Sequence, residues 1–293
     1  MQAQTDIDPV TGKTYFDAYH YNALGSVYSY SAWFNLNRQI YTNYNDSNAG
    51  VSAYGSDENE AARTKEALSN ANFRLALGMG LDRGSYRAQS IGEDLKYVAL
   101  RNSYTPGTFK PLEEAVTVDI NGTSTTFPAG TWYGEIIQAQ LKADGCPIQV
   151  WSDEADDGAG SGDGFDGWYN PSNAKAYLEK AIAELAQVGV EISAENPIQI
   201  DYPGQTWSEV GANMAQVFKK SIEASLDNQV VINIIEYPDS TTYQDNGYRA
   251  PSGAEMNYDL NPSSGWGPDY GDPQTFLDTL QPYGYMTMNI GMW

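Results

Sequence analysis

The chain has 293 residues, 41% hydrophobic and 13% aromatic, enough to bury a core as one large domain or two modest ones and too apolar for a disordered chain. Its formal net charge is −22 and its pI is near 4.1, so the average field repels nucleic acid and anionic membranes and favours cationic or zwitterionic partners. A single cysteine, Cys146, and a single histidine, His20, exclude an intramolecular disulfide and a Cys/His zinc site and do not suggest a Cys/His dyad; both read as packing or surface positions.

No run of about 18 apolar residues exists, and MQAQTDIDPV lacks the basic start and apolar stretch of a signal peptide. The chain as given is therefore expected to be soluble. Acidity and abundant tyrosine are compatible with a bacterial cell-surface protein.

Within the first fifty-odd residues, SAWFNLNRQIY reads as a strand, with alternation around Trp33 and Leu36. DENEAARTKEALSN has the charge spacing of an exposed helix. In NANFRLALGMGLDR, Phe73, Ala76, Leu77, Gly80 and Leu81 recur at helical spacing, which predicts a helix with a buried face. Residues 102–130 read as a long loop carrying a hairpin with Asn-Gly at its turn, and WYGEIIQAQLKADG resumes helix. The stretch SDEADDGAGSGDGFDG joins six acids with many glycines and reads as a solvated loop. It resembles a calcium loop only faintly, since the spacing and closing glutamate of an EF-hand are absent.

From Asn170 onward the signals sharpen. Asn170 caps a helix with Pro171 at its first position and Gly189 past its end, and Ala174, Tyr177, Leu178, Ala181, Ile182 and Leu185 fall on one face. PIQIDY follows as a strand with Ile198, Ile200 and Tyr202 alternating. A helix with Val210, Met214, Val217, Phe218 and Ile222 inward comes next, and NQVVINIIEY suits a strand covered on both sides. Strand, helix and strand at this spacing predict a parallel pair and hence an α/β fold.

A last strand through NYDLNPSSGW runs into GWGPDYGDP, after which PQTFLDTL begins a helix. That position, at a strand's carboxyl end, is where open α/β sheets receive ligands. Pro268 restricts the backbone before Asp269, whose carboxylate suits an ammonium group. Trp266 can supply a flat wall, and Gly265 and Gly267 allow close backbone approach. A purely structural alternative stays open for Trp266, Tyr270 and Asp269, whereas Asp272, directly before Pro273, reads as a helix cap. A carboxylate-pair hydrolase is the competing chemistry, but two acids on one tight turn seldom face each other across a scissile bond. No GxSxG, HExxH or phosphate-cradling loop accompanies them.

FNLNRQIY, NFRLALGMGLDR, GEDLKYVALRN, DGWYNPSNAKAYLEKA and GWGPDYGDPQTFLDTL, in that order, resemble the peptide-binding proteins of ABC importers (solute-binding protein family 5). Among these, the set is most similar to the Gram-positive oligopeptide-binding lipoproteins of the Ami/Ali type. The resemblance implies a periplasmic-binding-protein type II-like lobe, α/β, with a mixed, partly parallel sheet flanked by helices. It implies a hinge-proximal segment over 1–56 and, over 57–293, the second lobe, which grips the peptide amino terminus. Family members are nearly twice as long, so the chain reads as a fragment dominated by that lobe.

By the same resemblance the protein binds an oligopeptide by its backbone and termini, without catalysis, cofactor or metal. Asp269 is then the partner of the α-ammonium and Trp266 its wall, with Gly265, Gly267 and Pro268 shaping the turn; Arg101, Asn102, Tyr30 and Asn35 are further cleft candidates. The implied partners are the peptide and the permease subunits, and the implied place is the outer face of the membrane through a lipid anchor absent from this chain. A peptide-pheromone receptor of the same fold is the alternative function.

Overall fold

A computed structural model describes residues 5–19, 28–41, 58–98, 100–155 and 164–292. His20 and residues 156–163 of the acidic loop lie outside them. The elements, in chain order, are α1 (Tyr15–Tyr19), β1 (Ser29–Phe34), α2 (Glu58–Ser69), α3 (Ala71–Gly80), α4 (Arg83–Ile91), β2 (Val116–Ile120), β3 (Thr123–Phe127), α5 (Tyr133–Ala143) and α6 (Pro171–Ala186). There follow β4 (Ile198–Gly204), α7 (Glu209–Ser225), β5 (Val230–Glu236), α8 (Ser240–Asp245), β6 (Leu260–Trp266), α9 (Gln274–Leu277) and α10 (Tyr285–Asn289).

The α/β class is as expected. Among the described residues the strands form three two-stranded ladders: β4 beside β5, parallel, and β1–β6 and β2–β3, antiparallel. Local chemistry explains most boundaries. The Asn70, Asn170 and Ser208 side chains accept hydrogen bonds from the amides of Phe73, Asn173 and Gly211, capping α3, α6 and α7. Asn121 and Gly122 both have positive φ, 51° and 81°, the geometry of a two-residue hairpin turn.

The core forms where α3 packs on α6, both meet α7, and α7 and α2 cover the parallel pair. Phe73, Ala76 and Leu77 lie buried with Leu178, Ala181, Ile198, Ile200, Phe218 and Ile232. Two details differ from the sequence pattern. The inward face of α7 is Gly211, Ala215, Phe218, Ile222 and Ser225, and Val210 is exposed. Small residues let α7 approach the strand: a Cβ at Gly204 would already lie 3.6 Å from that of Ala215. Strand β5 is also only partly covered, since Val231, Asn233 and Ile234 keep intermediate exposure.

The leading strand ends at Phe34, short of the expected span. The Asn35 Oδ1 accepts from the Asn37 amide at 3.0 Å, turning the chain, and Arg38 is carried inward. Its guanidinium is 2.8 Å from Asp201 of β4 and 3.1 Å from Asp259, the residue before β6, and donates to Asn257 Oδ1 at 2.8 Å. The Arg38 Nε donates to the Ile40 carbonyl. Asp201 and Asp259 are themselves joined, because the Asp259 amide donates to the Asp201 carbonyl and the Asp201 amide to the Asp259 carboxylate.

Removing one member of a buried ion group leaves the others uncompensated, at a cost of about 3–5 kcal/mol. Arg38→Met is therefore expected to lower the unfolding free energy by about that amount in urea denaturation. Lys175→Met, which breaks the exposed pair with Asp227, is expected to cost about 1 kcal/mol or less. Equal losses for the two variants would contradict the role given to Arg38.

Candidate functional site

The β1–β6 ladder pairs Ser29 with Trp266 and Tyr30 with Gly265, so the start of β1 lies beside the end of β6 and the turn that follows. Crowding here requires glycine. A Cβ on Gly265 would lie 2.4 Å from the Ser29 carbonyl oxygen, and one on Gly267 would lie 2.2 Å from the Tyr28 ring. A side chain at either position would force the ladder or the tyrosine aside.

Behind the turn, α9 holds the backbone. The Asp269 amide donates to Thr275 Oγ1 at 2.9 Å, and Thr275 is buried. Asp272 Oδ1 accepts from the Gln274 amide at 2.8 Å, which is the capping role its place before Pro273 suggested. Phe276 of α9 packs against Tyr104 and Phe109 with centroids 5.6 and 5.4 Å apart. Tyr104 in turn meets Trp33 edge-on at 5.2 Å, and Trp33 Nε1 donates to the Ser264 carbonyl of β6. The turn thus stands on a continuous aromatic support running from α9 back to the ladder.

In front, Tyr28, Tyr30, Gly265, Trp266, Gly267, Pro268 and Asp269 line an open cavity of about 360 Å³. Asp269 is exposed and, among the described residues, its carboxylate has no partner. Trp266 lies on Tyr285 with centroids 5.6 Å apart. Its indole nitrogen is buried without a hydrogen-bond partner among the described residues. The turn is strongly negative: Asp278, Asp272 and Asp269 all act on the Tyr270 phenol.

Five sequence candidates of the turn and Tyr30 therefore share one cavity. Tyr28 joins them unforeseen; the signal was its spacing of two from Tyr30 in VYSYS, which marks one face of a strand. Asn35, Arg101 and Asn102 are elsewhere. The Asn35 amide is buried and donates to the Gly253 carbonyl at 2.8 Å. Asn102 is buried and tied to Arg83, Phe165, Gly167 and Trp168, in a network closed by the Arg83–Asp166 ion pair. Arg101 donates to the Leu100 carbonyl and borders a second cavity, beneath β1.

No family model matches the chain. It is 33% identical over 265 residues to oligopeptide-binding protein AliB of Streptococcus pneumoniae, covering 90% of this chain and 35% of that protein. With oligopeptide-binding protein SarA of Streptococcus gordonii it shares 32% identity over 259 residues, 88% of this chain and 34% of that one. With oligopeptide-binding protein AmiA of S. pneumoniae the identity is 32% over 247 residues, 84% and 32% of the two chains. The chain thus spans about a third of the length of the curated relatives it matches. Among solved structures, peptide-bound Listeria monocytogenes OppA is similar over 92% of this chain and 36% of that one, with 18% identity and a TM-score of 0.46.

The acid cluster has a titration signature. Tyr270 donates to Asp278, and that bond, with the neighbouring carboxylates, pushes its phenol up to about 12. A raised folded-state value means that the contact's contribution is complete below the unfolded tyrosine value of about 10 and is lost as pH rises through about 12. Burial also raises other phenols, Tyr243 and Tyr202 among them, so Tyr270→Phe is expected to remove one phenolate from the late-ionising group in the ultraviolet titration and leave the portion near pH 10 unchanged. Loss of a phenolate titrating near 10 instead would contradict the assignment.

Proposed function

We propose that this chain, a homologue of the Ami/Ali-type oligopeptide-binding proteins over 78% to 90% of its length, grips the amino-terminal end of an extended peptide for an ABC importer. The observation that carries this reading is the cavity at the carboxyl end of β6, where the exposed Asp269 carboxylate, without a partner among the described residues, stands beside Trp266. Asp269 receives the peptide α-ammonium. Trp266 and the two tyrosines wall the first residue, and Gly265 and Gly267 let Tyr30 and Tyr28 close on the turn.

The energetics favour this assignment. A hydrogen bond to a charged group contributes about 1.5–3 kcal/mol, and exposure of Asp269 puts the free site towards the lower end until a closing partner surface excludes water. Asp272 and Asp278 add to the negative potential without being needed as ligands, since one caps α9 and the other accepts from Tyr270. The reading is binding rather than catalysis: Asp272, the nearest acid along the turn, is occupied as a cap rather than set across a cleft from Asp269 as a hydrolytic pair would be.

In the whole protein, residues 1–56 serve as the hinge-proximal segment and 57–293 as the lobe that holds the peptide amino terminus. A second lobe closes over the ligand, and the permease subunits read surfaces from both. The protein works on the outer face of the membrane, anchored by lipid. Among the described residues no helix is long and apolar enough to cross a membrane.

Calorimetry on the two-lobed protein tests the assignment. Asp269→Ala is expected to weaken binding of free-amine peptides about tenfold or more and to leave N-acetylated peptides of the same sequence nearly unchanged. Equal losses for both ligands would overturn the role of Asp269.

A further inference from the structure

We propose that the cavity beneath β1 is a second binding site, built for a planar aromatic ligand that carries one hydrogen-bonding substituent. Successive residues of a regular strand face opposite sides: Tyr30 lines the turn cavity, whereas Ser29 and Ser31 line the other. An irregularity in the ladder between Ser31 and Trp33 breaks that alternation, and Ala32, Trp33 and Phe34 all border the second cavity, with Leu77, Tyr104 and Trp168. Its volume is about 350 Å³. An apolar cavity of roughly 150 Å³ holds benzene, so two fused rings and a substituent fit here.

The lining selects the ligand's chemistry. Two tryptophans and a tyrosine give flat walls suited to stacked or edge-on rings. Arg74, Arg83 and Arg101 also border the space; a guanidinium beside a ring face favours an aromatic over an aliphatic occupant. The polar feature comes from Ser29, which is 1% exposed and whose Oγ has no hydrogen-bond partner among the described residues. Buried hydroxyls are nearly always satisfied, and one ligand hydroxyl or ring heteroatom would complete this one. The site does not depend on the peptide reading, because Asp269 and Trp266 are not part of it.

Equilibrium dialysis of naphthalene and 2-naphthol against the chain tests the proposal. Both are expected to bind, 2-naphthol about fivefold more tightly, the difference a neutral hydrogen bond makes. Ser29→Ala is expected to bring 2-naphthol to the level of naphthalene and leave naphthalene unchanged. Ser31→Phe, which places a ring inside the cavity, is expected to abolish binding of both. If that variant does not fold, Ser29→Ala, which deletes a single oxygen, still decides. Equal binding of the two probes by the unaltered chain, binding that survives a folded Ser31→Phe, or no binding up to the solubility limit would each overturn the site.

Discussion

The Arg38 guanidinium, buried against Asp201 and Asp259, is the constraint from which the placement of the candidate turn follows. A cation between two carboxylates in the interior is tolerable only when all three groups are held in place and further hydrogen bonds complete their shells. The Asn257 and Ile40 oxygens supply two such bonds, and the Tyr41 ring lies 4.3 Å from the guanidinium carbon. Satisfying these groups together fixes where the chain leaving β1 can run. Strand β6 begins immediately after Asp259, so the same contact sets the start of the ladder that carries the turn.

From that anchor the position of Asp269 is determined in steps. The ladder places Gly265 beside Tyr30, and glycine at 265 and 267 lets the strands and Tyr28 approach closely. Trp33 bonds the Ser264 carbonyl, Tyr104 packs on Trp33, Phe276 packs on Tyr104, and the neighbouring Thr275 takes the Asp269 amide. The backbone of Asp269 is thereby bound while its carboxylate remains in solvent. A binding group needs that division, because a carboxylate already satisfied by the protein would have to give up one partner to accept another.

What could be read from the sequence is what is local. The caps at Asn70 and Asn170, the Asn-Gly hairpin and the parallel pair around α7 are encoded within a few residues or one strand–helix–strand unit, and short-range rules recover them. The turn was legible for the same reason: Pro268, the glycines and the acids are contiguous. The pairing of β1 with β6 was not, because it joins residues 226 to 237 positions apart, and neither strand names its partner. Arg38 sat within a motif without its neighbours, Asp201 and Asp259, being visible. On α7 the periodicity was right but its phase was off by one residue, since close packing chose Gly211 and Ala215 over the larger Val210 and Met214. Asn35 and Asn102 were named as cleft candidates through the resemblance; their amides make long-range backbone contacts that no local pattern announces, and Asn102 also borders the cavity beneath β1.

The net charge of −22 acquires a local meaning in this arrangement. A uniformly negative surface would attract cations everywhere and orient none. Elsewhere many acids are partnered: Asp166 by Arg83, Glu60 by Arg63, Glu223 by Lys219, Asp201 and Asp259 by Arg38. At the turn, Asp272 and Asp278 are held by hydrogen bonds that leave their charge in place, and Asp269 stands without a partner among the described residues. Diffuse charge sets how often a cationic ligand arrives, whereas one fixed acid beside an aromatic wall sets how it lies. Around Asp269 the backbone is held by the bond from its amide to Thr275 and by the close approach that Gly265 and Gly267 allow to Tyr30 and Tyr28, so the acid has a fixed place in the cavity beside Trp266.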